Sequence, residues 1–233
     1  MATQNAHDGL RPIDPAATSL AVFDLDGTLT DPVPGLLSCH RYALEHVGLD
    51  FDELVAAHST EAGDLVRSPA VEVYGAIGVP DSAAAEAAEK FRERRPFASL
   101  EDELYPGIDV LLTSLASAGW QIALATNQLE AMATRVLGRL EIADRFIAVA
   151  GSDQKRTRTT KIQIIEYLLT TLDSPPEGIV VVGDRGTDVE AAKMLRATSI
   201  GAAWGFGSIE ELIAANADAI AVQPADVTEL LLG

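Results

Sequence analysis

Asp24 and Asp26 stand where a short apolar run, Leu20-Ala21-Val22-Phe23, gives out, and Gly27 after them lets the backbone turn away at once. Two carboxylates at the mouth of a buried strand are unfavourable without a partner. A hard divalent cation such as Mg²⁺, which prefers oxygen ligands, is the fitting compensation. Around such a metal the pair suits the cleavage of a phosphate monoester. Asp24 is placed to attack phosphorus, dividing a very slow hydrolysis into two steps through a carboxyl-phosphate. The metal neutralises charge between that carboxylate and the phosphoryl oxygens. Asp26, two residues on, can protonate the leaving alcohol and later activate water. The plainer reading of the string is an acidic turn closing a hairpin.

Three other stretches carry complementary groups. Asp184 follows Ile179-Val180-Val181-Val182-Gly183 and would complete an acidic cluster that makes little sense without a cation. Asp188, at the start of the next helix, either joins the metal or caps the helix, and both readings stay open. Thr126-Asn127 follows Ala123-Leu124-Ala125 and offers a hydroxyl and backbone N–H groups to a phosphoryl oxygen. Read alone, that dipeptide is a helix cap. Lys161, opening a helical pattern, can reach a phosphate and keep Asp24 ionised, with Lys155, Arg156 and Arg158 as competitors.

These residues need a frame, and the hydrophobic pattern supplies one. Strands are expected at Trp120 to Ala125, Phe146 to Ala150, Gly178 to Val182 and Thr198 to Gly201, besides the run before Asp24, with another around Ala219 to Val222. Helices fall between them: Ile108 to Ala118, Leu129 to Arg139, Lys161 to Leu172, Asp188 to Leu195, Ile209 to Ala215 and one from Ala225. Such alternation implies a parallel sheet, and ligands of open parallel sheets collect at the carboxyl ends of the strands. The stretch from Pro32 to Asp102 differs, with helical segments (one through Leu36 and Leu44, then Phe51 to His58, Pro69 to Ile77 and Asp81 to Arg95) and no strong strand. Asp81 and Ser82 are the expected caps of the last.

The string Phe23-Asp24-Leu25-Asp26-Gly27-Thr28-Leu29 resembles the first motif of the haloacid dehalogenase superfamily of phosphohydrolases, and the chain from Ser19 onward is similar to its phosphoglycolate-phosphatase-like branch. The resemblance implies a Rossmann-like three-layer α/β sandwich with a central parallel sheet and an inserted small helical cap. The parts would be a flexible arm at 1–18, the core at 19–32 and 103–233, and the cap at 33–102, which closes over the site and chooses the substrate. It implies Asp24 as nucleophile, Asp26 as acid/base, and Lys161 as the lysine of the site. Thr126, Asn127 and Lys161 would bind phosphate, and Mg²⁺ would be held by Asp24, Asp26 (through its backbone carbonyl), Asp184 and Asp188. Arg185 is similar to a Gly-Asp-Arg variant in which it positions the acidic loop. Trp204-Gly205-Phe206-Gly207 is similar to the loop after the fifth strand and reads as packing.

The cap departs from the branch. Where a double-proline loop is usual, the chain reads Glu61-Ala62-Gly63-Asp64-Leu65-Val66-Arg67-Ser68-Pro69. Arg67 and Arg95 each read as an ordinary surface arginine, with binding of a substrate carboxylate or second phosphate as the functional alternative. The substrate is therefore expected to be a small phosphorylated metabolite, phosphoglycolate-like or else a nucleotide or sugar phosphate, with phosphomutase chemistry as an enzymatic alternative. A catalytically silent regulator is the alternative of another class, and the intact acidic set argues against it.

Composition agrees. The net charge of −18 on 233 residues repels polyanions, so neither nucleic acid nor a membrane surface is expected as partner. A 48% hydrophobic content with 5% aromatic predicts an aliphatic core. Cys39 is the single cysteine, best read as an apolar helix residue in a reducing cytoplasm. No signal sequence or long apolar span is apparent, and a monomer or homodimer is expected.

Overall fold

A computed structural model describes residues 20–58, 68–155, 157–175 and 178–233. The proposed arm, the part of the cap loop that includes Arg67, and Arg156 lie outside the described residues. By internal contacts the chain divides into two units, Met1–Thr30 with Leu104–Gly233, and Asp31–Glu103. It crosses between them at β2 (Thr30–Asp31) and β3 (Glu103–Leu104), which pair as a two-stranded ribbon.

The first unit is built on six parallel strands: β1 (Leu20–Phe23), β4 (Gln121–Leu129), β5 (Ala148–Ser152), β6 (Ile179–Gly183), β7 (Thr198–Ala202) and β8 (Ala219–Ala221). Their order is β5-β4-β1-β6-β7-β8. The central strands are apolar on both faces because helices cover both. On one face Leu20, Val22, Ala123, Ala125 and Val181 pack against Ile164, Ile165 and Leu168 of α7 (Lys161–Leu172) and against Ala191 and Ala192 of α8 (Gly186–Met194). The alternate residues Ala21, Phe23, Ile122, Leu124, Val180 and Val182 are equally buried on the opposite face. There α5 (Ile108–Ser117) packs on β4 and on α10 (Pro224–Leu232). The remaining helices of this unit are α6 (Glu130–Arg139) and α9 (Ile209–Ala214). No described helix is long and apolar enough to cross a membrane.

The described part of the second unit is helical: α1 (Val33–His46), α2 (Phe51–Ala57), α3 (Ala70–Ala76) and α4 (Asp81–Arg94), followed by a 3₁₀ turn at Arg95–Leu100. Asp81, expected as a cap, is instead the first helical residue; Pro80 precedes it in extended conformation and no side chain caps the helix. Its carboxylate still favours the helix start through the dipole. Cys39 is buried in α1, as an apolar-face residue would be.

Beside Cys39, His40 is 1% exposed and stacks on Phe51 at 5.3 Å between ring centroids, with Phe91 at 4.6 Å and the edge of Tyr74 at 5.6 Å. Its Nδ1 is buried with no hydrogen-bond partner among the described residues. Burial lowers its pKa from 6.5 to about 4, and the Arg95 charge pushes the same way. The unfolded chain therefore takes up this proton first. His40's contribution to stability is complete above pH 6.5 and is lost as the pH falls from there through about 4. The full loss is about 3 kcal/mol. His40→Phe should remove it, so the stability difference between wild type and variant in urea should shift in the variant's favour across that window. A difference constant with pH would contradict the assignment.

Candidate active site

Register brings the site together. Phe23 lies opposite Leu124 of β4 and Val182 of β6, so the ends of β1 and β6 and the middle of β4 lie side by side. Asp24 continues β1 for one further bond, its N–H donating to Val182 O at 2.9 Å. The chain then curls on itself: the N–H groups of Thr28, Leu29 and Thr30 all point to Leu25 O, and Gly27 N–H donates to Thr30 O at 2.8 Å. Gly27 has φ +87°, and a Cβ there would run into the Asp184 carboxylate, so only glycine fits.

Lys161 is the first residue of α7, and a capping box sets that start. Thr160 Oγ1 accepts from Gln163 N–H, and the Gln163 side chain accepts from Thr160 N–H at 3.2 Å. The ammonium, 4% exposed, reaches Asp24 Oδ1 at 2.6 Å, Asp188 Oδ1 at 2.9 Å and Ala125 O at 3.0 Å. Its competitors do other things. Lys155 is exposed. Arg158 pairs with Glu130 at 2.9 Å, donates to Gly151 O and lies 3.6 Å over the Tyr167 ring.

Asp24, Asp184 and Asp188 each offer a carboxylate oxygen, and these oxygens lie within 4.8 Å of one another. Burial pushes the Asp24 carboxyl up to about 8, against the pull of Lys161 and with Asp188 and Asp184 adding to the rise. Burial likewise raises Asp184 to about 6, although Phe206 and Gly207 N–H groups bond its Oδ2 at 2.8 and 3.4 Å. Fully ionised, Asp24, Asp184 and Asp188 would leave two negative charges over the one ammonium, which is what the raised Asp24 and Asp184 carboxyls resist. A divalent cation carries the charge that balances them, and an all-oxygen donor set fits Mg²⁺. Asp188 caps α8, its Oδ2 accepting from Arg185 N–H at 3.1 Å, while its Oδ1 meets Lys161 within the acidic cluster.

The Asp26 carboxylate stands outside the acidic triad and accepts from the Gln128 amide instead. The strand expected to stop at Ala125 runs on to Leu129, with its register slipping between those residues. Within that slip Thr126 is buried, Asn127 is exposed, and the next side chain, Gln128, turns inward. Arg185 pairs with Glu211 at 3.0 Å and so braces the acidic loop from behind. Arg95 is exposed.

The loop Trp204–Gly207 does more than pack. Trp204 Nε1 donates to Thr28 O at 2.9 Å, tying this loop to the one that carries the first acids. Gly207 must be glycine because a Cβ would collide with the Asp184 carbonyl, and this close approach lets the loop's N–H groups reach the carboxylate. The Gly-Phe-Gly spacing carried that signal, but a backbone donor has no side-chain signature.

Comparison with known proteins agrees with this geometry. The profile of the haloacid dehalogenase-like hydrolases matches residues 18–195, and a HAD-hydrolase-like profile matches 161–230. The chain is 35% identical over 191 residues to tyrosine-protein kinase PtkA of Mycobacterium tuberculosis, covering 81% of this chain but only 63% of that protein. It is 29% identical over 218 residues to a phosphoglycolate phosphatase of Vibrio vulnificus, covering 91% of this chain and 96% of the relative. The crystal structure of a Clostridium difficile protein provisionally named a phosphatase superposes with a TM-score of 0.76 at 28% identity, covering 92% and 99% of the two chains. A parallel sheet of this order, acids from two neighbouring strand ends and a profile match over most of the length converge: the chain belongs to the haloacid dehalogenase-like hydrolases, in their phosphoglycolate-phosphatase-like branch.

Proposed function

We propose that the protein is a Mg²⁺-dependent phosphatase of small phosphate monoesters that works through a phospho-aspartate on Asp24. The observation that carries this reading is the buried contact of Asp24 with Lys161, set among Asp184 and Asp188 at the carboxyl edge of the sheet. Lys161 favours the ionised form of Asp24 against the effect of burial and offers positive charge to the phosphoryl oxygens. Thr126, buried in β4 next to Ala125, whose carbonyl Lys161 meets, supplies a hydroxyl to the same oxygens. Asp26 gives a proton to the leaving alcohol and takes one from the attacking water. Asp24, Asp184 and Asp188 would hold the metal, which supplies charge neutralisation between nucleophile and phosphoryl group.

We read Asp31–Glu103 as a substrate-selecting cap and the substrate as a small phosphorylated metabolite rather than a nucleic acid or a membrane lipid. The acidic net charge supports that choice, and the lone, buried Cys39 supports work in a reducing cytoplasm. The likeness to PtkA favours a second reading, transfer of phosphate to protein tyrosine. Phosphate release should be measured from phosphoglycolate, sugar phosphates and mononucleotides, with Mg²⁺ and with EDTA. Metal-dependent release from at least one metabolite is expected. Labelling of protein tyrosine from ATP, with no release from any metabolite, would establish the second reading instead.

A further inference from the structure

Gln128 lies where β4 slips against β5, between Ala125 and Leu129. Its backbone N–H donates to Thr126 Oγ1 at 3.1 Å, which pins the point from which the side chain leaves. From there the amide nitrogen donates to both carboxylate oxygens of Asp26, at 2.7 Å each. Its Oε1 is buried and bonded to nothing among the described residues. Turning the amide over would set that oxygen against the carboxylate, so the sense of the contact is fixed by charge. The neighbouring Asn127 is exposed.

We propose that Gln128 is a positioning residue that orients the Asp26 carboxyl toward the departing alcohol. The proposal rests on the phosphatase reading above. In the first step the bond from Asp24 to phosphorus forms and the bond from phosphorus to the alcohol oxygen breaks. The electron pair goes to that oxygen, and the Asp26 proton follows it. In the second step water attacks phosphorus, its proton passes to Asp26, and Asp24 leaves as carboxylate. Gln128 touches no reacting atom; each Asp26 oxygen keeps a second lone pair for the proton in transit. Its effect should therefore scale with how much the leaving group needs a proton.

The test compares kcat/KM for ethyl phosphate and p-nitrophenyl phosphate with Mg²⁺ present, since kcat/KM reports only the steps up to loss of the alcohol. Gln128→Met keeps the side chain's length and removes the donor. It should lower the ethyl phosphate value about 10–100-fold, as expected of a misaligned catalytic group. The nitrophenyl value should change by less than about threefold, because nitrophenolate departs without protonation. Gln128→Glu, closer in shape, should show the same contrast. In an Asp26→Asn background Gln128→Met should have little further effect. Equal losses on both esters, or full additivity with Asp26→Asn, would overturn the proposal while leaving the phosphatase reading intact. A wild-type protein that hydrolyses neither ester and releases phosphate from none of the metabolites would remove both.

Discussion

Asp24→Asn should lower turnover by about 10⁴-fold or more while the protein stays folded. The amide occupies the same volume but is no nucleophile toward phosphorus, and the phospho-enzyme cannot form. Folding should survive because Lys161 keeps Asp188 at 2.9 Å and the Ala125 carbonyl at 3.0 Å. Burial also acts against an ionised Asp24, and two further acids crowd it, so a neutral side chain relieves the metal-free site. The melting temperature without metal should be equal to wild type or higher, and the gain on adding Mg²⁺ should shrink. Steady-state kinetics and thermal melts with and without Mg²⁺ check both halves. Full activity in the variant would end the assignment of Asp24 as nucleophile.

Lys161→Met should have the largest effect on stability. The ammonium is 4% exposed and is the cation shared by Asp24 and Asp188. Removing one partner of a buried ion pair leaves uncompensated charge and typically costs about 3–5 kcal/mol. Here two paired carboxylates and the nearby Asp184 are left facing one another. Mg²⁺ should return part of the lost stability, because a bound cation replaces the missing charge and favours the folded state by mass action. Urea unfolding in EDTA and in Mg²⁺ measures this directly. Activity should fall even where stability is recovered, since the phosphoryl oxygens lose a charged donor. An unchanged unfolding midpoint in EDTA would mean that the three acids are not ionised around this lysine.

Local sequence carried most of the frame. The strand and helix positions could be read from hydrophobic period, and α7 starts at the lysine because Thr160 and Gln163 form a capping box three residues apart. The acids at 24 and 184 were legible because each ends an apolar strand, where a carboxylate has no structural reason to be. The extension of β4 to Leu129 was not legible, since Thr126-Asn127-Gln128 has the composition of a turn and only the neighbouring strand holds it extended. The backbone donors of Phe206 and Gly207 to Asp184 leave no mark on side-chain pattern either.

By itself the chain's order of residues determined which groups sit at strand ends, because period and capping act over a few residues. Which groups meet was decided by the fold alone. The pairing of Lys161 with Asp24 spans 137 positions and that of Gln128 with Asp26 spans 102. Parallel register between β1, β4 and β6 brings such distant residues to one edge, and charge in a dry site then selects among those that arrive. Lysine and glutamine side chains elsewhere on the surface have the same local signature, so only tertiary contact separates them.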